Sequence, residues 1–225
     1  MGRCLSRVAV DLHTHSTASD GSEPPATVIR RAAEAGLSTV ALTDHDNLDG
    51  IAEAREIADE LGITFIAGTE LSVEWSTGPM HLLVYFLEPG AGPLQNAMIE
   101  IRRGRADRNH RLVERLRGLG FDLTYEEVAD EAGGSGIGRP HFAAVMVAKG
   151  IVPDIPTAFD RYLASGRPGY EPRMRLAAEE AIHLARESKA IPVIAHPHTL
   201  GVSAEDYNTA FRSLTDVGLG GLECY

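Results

Sequence analysis

Cysteine is almost absent from this chain: there are two in 225 residues, Cys4 and Cys224, near opposite ends. That argues against a disulfide framework and fits a reducing cytosol better. No apolar run approaches the roughly 18 residues of a membrane span. A signal-peptide shape is also missing, because the first strand is expected within a few residues of Met1. The opening MGRCLS does match the loose myristoylation pattern, but a strand so close behind it argues for the plainer reading. Basic residues are in deficit, 21 against 32 acidic, for a net charge of −11. That excludes a chain built wholly to wrap nucleic acid or coat an anionic membrane, while leaving room for a local basic patch. Repeats and low-complexity segments are lacking too. What is plentiful is apolar content, 44%, enough for a buried α/β core with room for an insertion.

Strand and helix signals alternate at the start. VAVDLH is a short apolar run. SEPPATVIRRAAEAG reads as a helix, with Ser22 as N-cap, prolines in the first turn and Gly36 as terminator. STVALTDH follows as a strand, then DGIAEAREIADELG as a helix capped near Asp49 and stopped at Gly62, then the strand ITFIAGTEL. This β-α-β-α-β order predicts a parallel sheet or barrel with helices outside. SVEWSTGPMHLLVYFL predicts a hairpin turning at Thr77-Gly78-Pro79. Residues 93–173 change character to helical stretches broken by glycine and proline, which predicts a helical insertion. Alternation then resumes with a helix, the strand IPVIAHPH, a further helix and the closing strand GLECY. The expected division is a barrel domain over 1–92 and 174–225 with a capping subdomain over 93–173.

The polar residues fall where these strands end. His13 and His15 end the first, Asp44 and His45 the second, Glu70 the third, and His196 the strand IPVIAHPH. In parallel α/β folds the carboxyl ends of strands share one rim, so residues far apart in sequence converge there. Taken singly, each has a bland explanation: a structural histidine, an N-cap at Asp20 or Asp49, a solvated His81 beside a turn. As a set, desolvated imidazoles and carboxylates with no lysine or arginine in the same segments would cost several kcal/mol if unpaired, and divalent cations relieve that cost.

Four motifs in order, DLHTHSTASDG, ALTDHDNLDG, AGTELSVEW with MHLLVYF, and IAHPHTLG, resemble the polymerase-and-histidinol-phosphatase (PHP) family of metal-dependent phosphoesterases. The resemblance implies an irregular (β/α)7 barrel, here truncated at the C-terminus, with two to three divalent ions (Mn, Zn or Fe) at its carboxyl rim. It also implies metal ligands at His13, His15, Asp20, His45, Glu70, His81 and His196. Glu70 would bridge two ions, and Asp44 would orient its neighbour. GRPHFA and RYLASGRPGYEPR resemble a subgroup that acts on 3′,5′-bisphosphorylated nucleosides or trims RNA from its 5′ end, in which Arg139 and His141 would face the substrate phosphate. A late Asp-x-His pair that family members add to the metal site has no counterpart before Tyr225, so the chain is expected to be a fragment.

The implied reaction is phosphate-ester hydrolysis by a metal-bridging hydroxide on a small nucleotide or short RNA, in the cytoplasm, with no membrane and no obligate protein partner. No side-chain nucleophile suggests itself, since Ser16 and Thr14 lack a base distinct from the ligands. Histidinol-phosphate hydrolysis and a non-catalytic metal-binding accessory role stay open. Amidohydrolase-type C–N hydrolysis is disfavoured by TDHD and by the lack of a lysine after the third strand. Residues 100–117 hold seven arginines against three acids, either a solvated helix face or a phosphate-guiding surface.

Overall fold

The computed structural model describes residues 9–133, 136–203 and 205–224; Cys4, the MGRCLS pattern and the Tyr225 end of the closing strand lie outside them. The elements in order are β1 (Val10–Thr14), α1 (Pro25–Glu34), β2 (Thr39–Leu42), α2 (Ile51–Leu61), β3 (Thr64–Val73), β4 (Met80–Tyr85), α3 (Pro93–Gly118), α4 (Tyr125–Glu131), α5 (Arg139–Ala148), α6 (Ile155–Ala158), α7 (Ala178–Glu187), β5 (Ile191–Ile194), α8 (Tyr207–Asp216) and β6 (Gly221–Leu222). They form two compact units, Met1–Met98 with Arg175–Tyr225, and Ile99–Met174.

The first unit is built on one six-stranded sheet in sequence order, β1 to β6. β1, β2 and β3 are parallel, joined by α1 and α2. The crossovers work because each helix buries one stripe. Ile29 and Ala32 of α1, with Ile51, Ala54 and Ala58 of α2, pack on Val40 and Leu42 of β2. β3 and β4 then form the expected antiparallel hairpin, paired from Gly68↔Tyr85 to Val73↔Met80, so Thr77, Gly78 and Pro79 lie in its connection. β5 runs antiparallel to β4, and β6 parallel to β5. The sheet curls enough for its two edges to meet through side chains: Nδ1 of His13 on β1 lies 3.1 Å from a carboxylate oxygen of Glu223, just past β6. This is the expected α/β architecture with a curled, barrel-like sheet.

Two helix starts differ from expectation. α1 opens at Pro25, flanked by Pro24 rather than capped by Ser22, and no side chain caps it. A residue before proline is kept out of the α region, so the helix cannot begin upstream of the Pro24-Pro25 pair. α2 follows Gly50, not Asp49. The Asp49 N–H instead donates to the side-chain oxygen of Asn47 at 3.0 Å, which holds it in the turn before the helix.

The second unit is helical. Thr124 and Glu127 cap the start of α4 reciprocally, side chain to backbone in both directions. Leu112 and Leu116 of α3, Leu123, Val128, Phe142 and Met146 of α5, and Leu163 share a core of their own. α6 passes directly into one π-helical turn, Phe159–Leu163. No helix among the described residues is long and apolar enough to cross a membrane. Phe142 is fully buried in this core. Phe142→Ala is therefore expected to destabilise the helical unit by about 3–5 kcal/mol, read from urea unfolding followed by far-UV circular dichroism; a change below about 1 kcal/mol would contradict this packing.

Candidate metal centre

Glu70 sits near the middle of β3 with its side chain 2% exposed, and five histidines from four other segments surround it. Nε2 of His13 and Nε2 of His15 lie 3.2 and 3.1 Å from Oε2. Nδ1 of His45 lies 3.3 Å from the same oxygen. Nδ1 of His81 and Nε2 of His196 lie 2.8 and 2.9 Å from Oε1. The rings close a circuit around the carboxylate, with centroid separations of 5.2 Å from His13 to His15, 4.7 Å to His45, 5.3 Å to His81, 5.0 Å to His196 and 6.0 Å back to His13. Asp20 approaches from the outside, 3.5 Å from Nδ1 of His15 and 3.6 Å from Nε2 of His45, with its side chain 66% exposed. The structure thus brings together all seven residues expected as ligands.

Local structure explains the placement. β1 carries a register shift between Asp11 and Thr14, three residues along β1 against two along β2, so a bulge lies where His13 sits. Bulges bend a strand and re-aim side chains, and the Asp11 carboxylate takes up the His13 backbone N–H at 3.2 Å. The loop after β1 is held by buried Asp44, which accepts hydrogen bonds from the Ser16 N–H, the Ser16 hydroxyl and the Ser19 hydroxyl at 2.7, 2.7 and 2.6 Å. Asp44 was expected to orient His45; its side chain instead anchors the loop that presents His15 and Asp20. Gly21 closes that loop, and a Cβ there would lie 2.4 Å from the His15 carbonyl oxygen, so the SDG of the first motif needs glycine for close backbone approach. The next turn is tied to β3 through Asp46 N–H to Glu70 O at 3.1 Å and Glu70 N–H to Asp44 O at 3.2 Å. His196 follows β5 in a left-handed conformation, φ 30°, which a non-glycine residue adopts only when its surroundings impose it.

Burial alone would raise the Glu70 carboxyl, but hydrogen bonds from His13, His15 and His81 and the charge of His45 hold it far below the usual carboxylate range. Burial lowers the His45 imidazole. Burial would lower His13 as well, but Glu70 and then Glu223 overcome it and leave the ring raised. The donor set fits cations better than protons. One carboxylate offers about four lone-pair sites, fewer than five imidazoles need. Five imidazolium ions at these ring separations would repel one another strongly. Nδ1 of His45 is buried and makes no aligned hydrogen bond although Glu70 is 3.3 Å away. Donor atoms about 3.0–3.4 Å apart are what atoms sharing one ion at about 2.0–2.1 Å would show. His13, His15 and Glu70; His15, Asp20 and His45; and His45, Glu70 and His81 each offer atoms within 4.8 Å of one another.

Glu223 was missed from the sequence, although the closing GLECY strand placed a carboxylate at the same rim. It contacts both His13 and the His196 backbone N–H, the latter at 2.7 Å. Arg139 and His141 belong to the helical unit. Arg139 donates to the Leu163 carbonyl at 3.0 Å, and its guanidinium lies over the rings of Phe159 and Tyr170 at 5.9 and 5.4 Å. Nδ1 of His141 accepts the Gly138 N–H at 3.1 Å at the start of α5.

A PHP domain profile matches residues 11–102. A 3′,5′-nucleoside bisphosphate phosphatase of Chromobacterium violaceum is 35% identical over 189 residues, covering 84% of this chain and 66% of that protein. The 5′-3′ exoribonuclease Rnm of Salmonella typhimurium is 32% identical over 211 residues, covering 91% of this chain and 72% of that one. A solved structure from Bifidobacterium adolescentis, described as a metal-dependent phosphoesterase, superimposes with a TM-score of 0.77 at 30% identity, covering 96% of this chain and 77% of that one. This chain spans about two thirds to three quarters of the length of these proteins. With the motifs, the sheet and the histidine circuit in agreement, the chain belongs to the PHP family of metal-dependent phosphoesterases.

Proposed function

We propose that this chain hydrolyses a phosphate ester of a nucleotide, either a 3′,5′-nucleoside bisphosphate or the 5′ end of a short RNA, with two to three divalent ions (Mn, Zn or Fe) held by His13, His15, Asp20, His45, Glu70, His81 and His196. The observation that carries the reading is the convergence of five imidazoles on one buried, ionised carboxylate. Ions bound there would supply an activated water near neutral pH and neutralise charge on the phosphate oxygens.

The chain's own groups provide the frame. Glu70 and the histidines hold the cluster in fixed register, and Asp44 keeps the loop bearing His15 and Asp20 closed over it. The two hydroxyls beside the histidines of the first motif are engaged elsewhere. The Ser16 hydroxyl is fully buried and donates to Asp44, and the Thr14 hydroxyl donates to the Ala41 carbonyl at 2.6 Å. That favours direct attack by water over a covalent intermediate. The names of the two relatives support a nucleotide substrate.

In the helical unit, Arg139 opens α5, where a helix N-terminus already favours an anion. Buried Arg108 is pushed down to about 10 by its burial, with Arg139 and Arg105 adding repulsion. We infer that this concentration of cationic groups serves a substrate phosphate, with Arg139 and His141 in contact with it. Of the remaining arginines of α3, Arg111 and Arg115 are engaged by Glu171 and Arg103 by Glu100.

Three outcomes follow. Metal-stripped protein should release neither phosphate from adenosine 3′,5′-bisphosphate nor mononucleotide from a 5′-phosphorylated oligoribonucleotide, and added Mn²⁺ should restore at least one; bound metal with no turnover on either would favour a non-catalytic accessory role. Glu70→Gln should lower both metal content and turnover by more than about 100-fold, beyond the loss expected from a merely supporting partner. Arg139→Ala should raise KM by about 10–100-fold, the worth of one charged hydrogen bond, with metal content unchanged; an unchanged KM would remove Arg139 from phosphate binding.

A further inference from the structure

We propose that Glu223 is a positioning residue for the metal centre, fixing the ring of one ligand and the backbone of another with its two oxygens. The inference rests on the metal reading of the histidine circuit. Nothing in the expected ligand set includes Glu223.

The His13 ring has its Nε2 toward Glu70 at 3.2 Å and its Nδ1 toward Glu223 Oε1 at 3.1 Å. A carboxylate can only accept, so without metal Glu70 favours a proton on Nε2 and Glu223 one on Nδ1; an ion taking the Nε2 lone pair would leave the proton on Nδ1, where Glu223 holds it. The other oxygen, Oε2, accepts the His196 backbone N–H at 2.7 Å. That residue holds the left-handed φ of 30° from which its own Nε2 reaches Glu70. Thr199 adds a second tie, its hydroxyl 3.0 Å from His196 Nδ1 and both its hydroxyl and its N–H donating to the His196 carbonyl at 3.0 Å, while the His196 N–H is held by Glu223.

Glu223 therefore joins the two ends of the curled sheet at the point where each contributes a ligand: β1 through His13, and the segment after β5 through His196. Its own position is set by β6, since its N–H donates to the Ile194 carbonyl at 2.8 Å. With its side chain 17% exposed, the carboxylate is screened from bulk water. Burial raises the neighbouring Tyr85 hydroxyl, with Glu223 adding to that, so Tyr85 stays a neutral phenol and adds no further negative charge beside the carboxylate. Imidazole–carboxylate pairs of this kind orient metal ligands and raise their basicity.

The test compares the unaltered chain with Glu223→Ala and Glu223→Gln. Mn²⁺ is titrated calorimetrically into each metal-stripped protein, and the ¹⁵N-histidine spectrum of the metal-free state is recorded in alkaline buffer where the His13 ring is neutral, with the His13 signal identified by its loss in His13→Gln. The expected result for Glu223→Ala is a tightest-site affinity about 10–100-fold weaker and a shift of the His13 proton from Nδ1 toward Nε2. Glu223→Gln keeps the size and one acceptor, so it should fold and lie between the two. Unaltered Mn²⁺ affinity and an unchanged His13 tautomer in both variants would overturn the inference while leaving the metal reading intact. Failure of the unaltered chain to bind Mn²⁺ would overturn the metal reading and this inference with it.

Discussion

A single buried carboxylate organises this protein. Glu70 is all but sealed from solvent and still ionised, which a protein interior permits only when opposite charge or directed donors surround it. Here the donors are five imidazoles from separate stretches of chain, which leaves the carboxylate crowded rather than merely satisfied. Protons resolve that crowding poorly, because each added proton repels the next across rings 4.7–6.0 Å apart. Cations shared between several rings resolve it with fewer charges. The electrostatics of the site, before any comparison with relatives, therefore ask for metal.

The fold exists in a form that makes such crowding possible. β1, β2 and β3 are parallel, so their carboxyl ends lie on one rim; β4 is antiparallel, so its beginning lies there instead, which is how His81 reaches Glu70 from the first turn of its strand. The hairpin is thus not a departure from the parallel scheme but the means by which a fourth segment enters the site. The supporting contacts run between elements in the same way. Asp44 binds a loop 28 residues upstream, and Glu223 binds His13 from 210 residues away. Secondary structure alone would hold none of these distances; curl of the sheet and these tie points do.

Much of this was legible in the sequence for a physical reason: chemistry at strand ends leaves histidines and carboxylates immediately after short apolar runs, and that juxtaposition is visible without coordinates. His13, His15, His45 and His196 stand out this way; Glu70 was read as the end of its strand, but β3 runs on to Val73 through the hairpin pairing with β4, so the carboxylate lies within the strand. His81 was legible only through the motif, because its strand begins rather than ends at the rim. Glu223 was obscured because the strand before it is two residues long and carries almost no periodicity. The bulge in β1 leaves no compositional mark, since its cause is pairing with β2. Asp44 was read correctly as a supporting residue but given the wrong partner, because proximity in sequence to His45 says nothing about which way a carboxylate beneath a loop will face. The helix starts at Pro25 and Ile51 slipped for a related reason: serine and aspartate mark helix starts statistically, while the Pro24-Pro25 pair decides the first sterically.

The proposed chemistry also implies where substrate choice has to reside. A cluster of ions and imidazoles stabilises a reacting phosphate with little regard to what the phosphate is attached to, so the same centre suits a bisphosphorylated nucleoside, an RNA end or another phosphate ester. Discrimination needs groups that touch the remainder of the substrate, and the strand ends bearing the ligands carry no arginine or lysine for that task. The helical unit has the opposite composition. Among the described residues, Arg108 is buried with its Nε unpartnered, and Arg139 rests on two aromatic rings and donates to the Leu163 carbonyl. A buried guanidinium surrounded by further cations is unfavourable for folding by itself. The substrate phosphate proposed for this unit would supply the anion that such a group lacks. On the proposed reading, reaction type and substrate choice draw on different parts of the chain: the first on the carboxylate and imidazoles around Glu70, the second on the arginines of the helical unit.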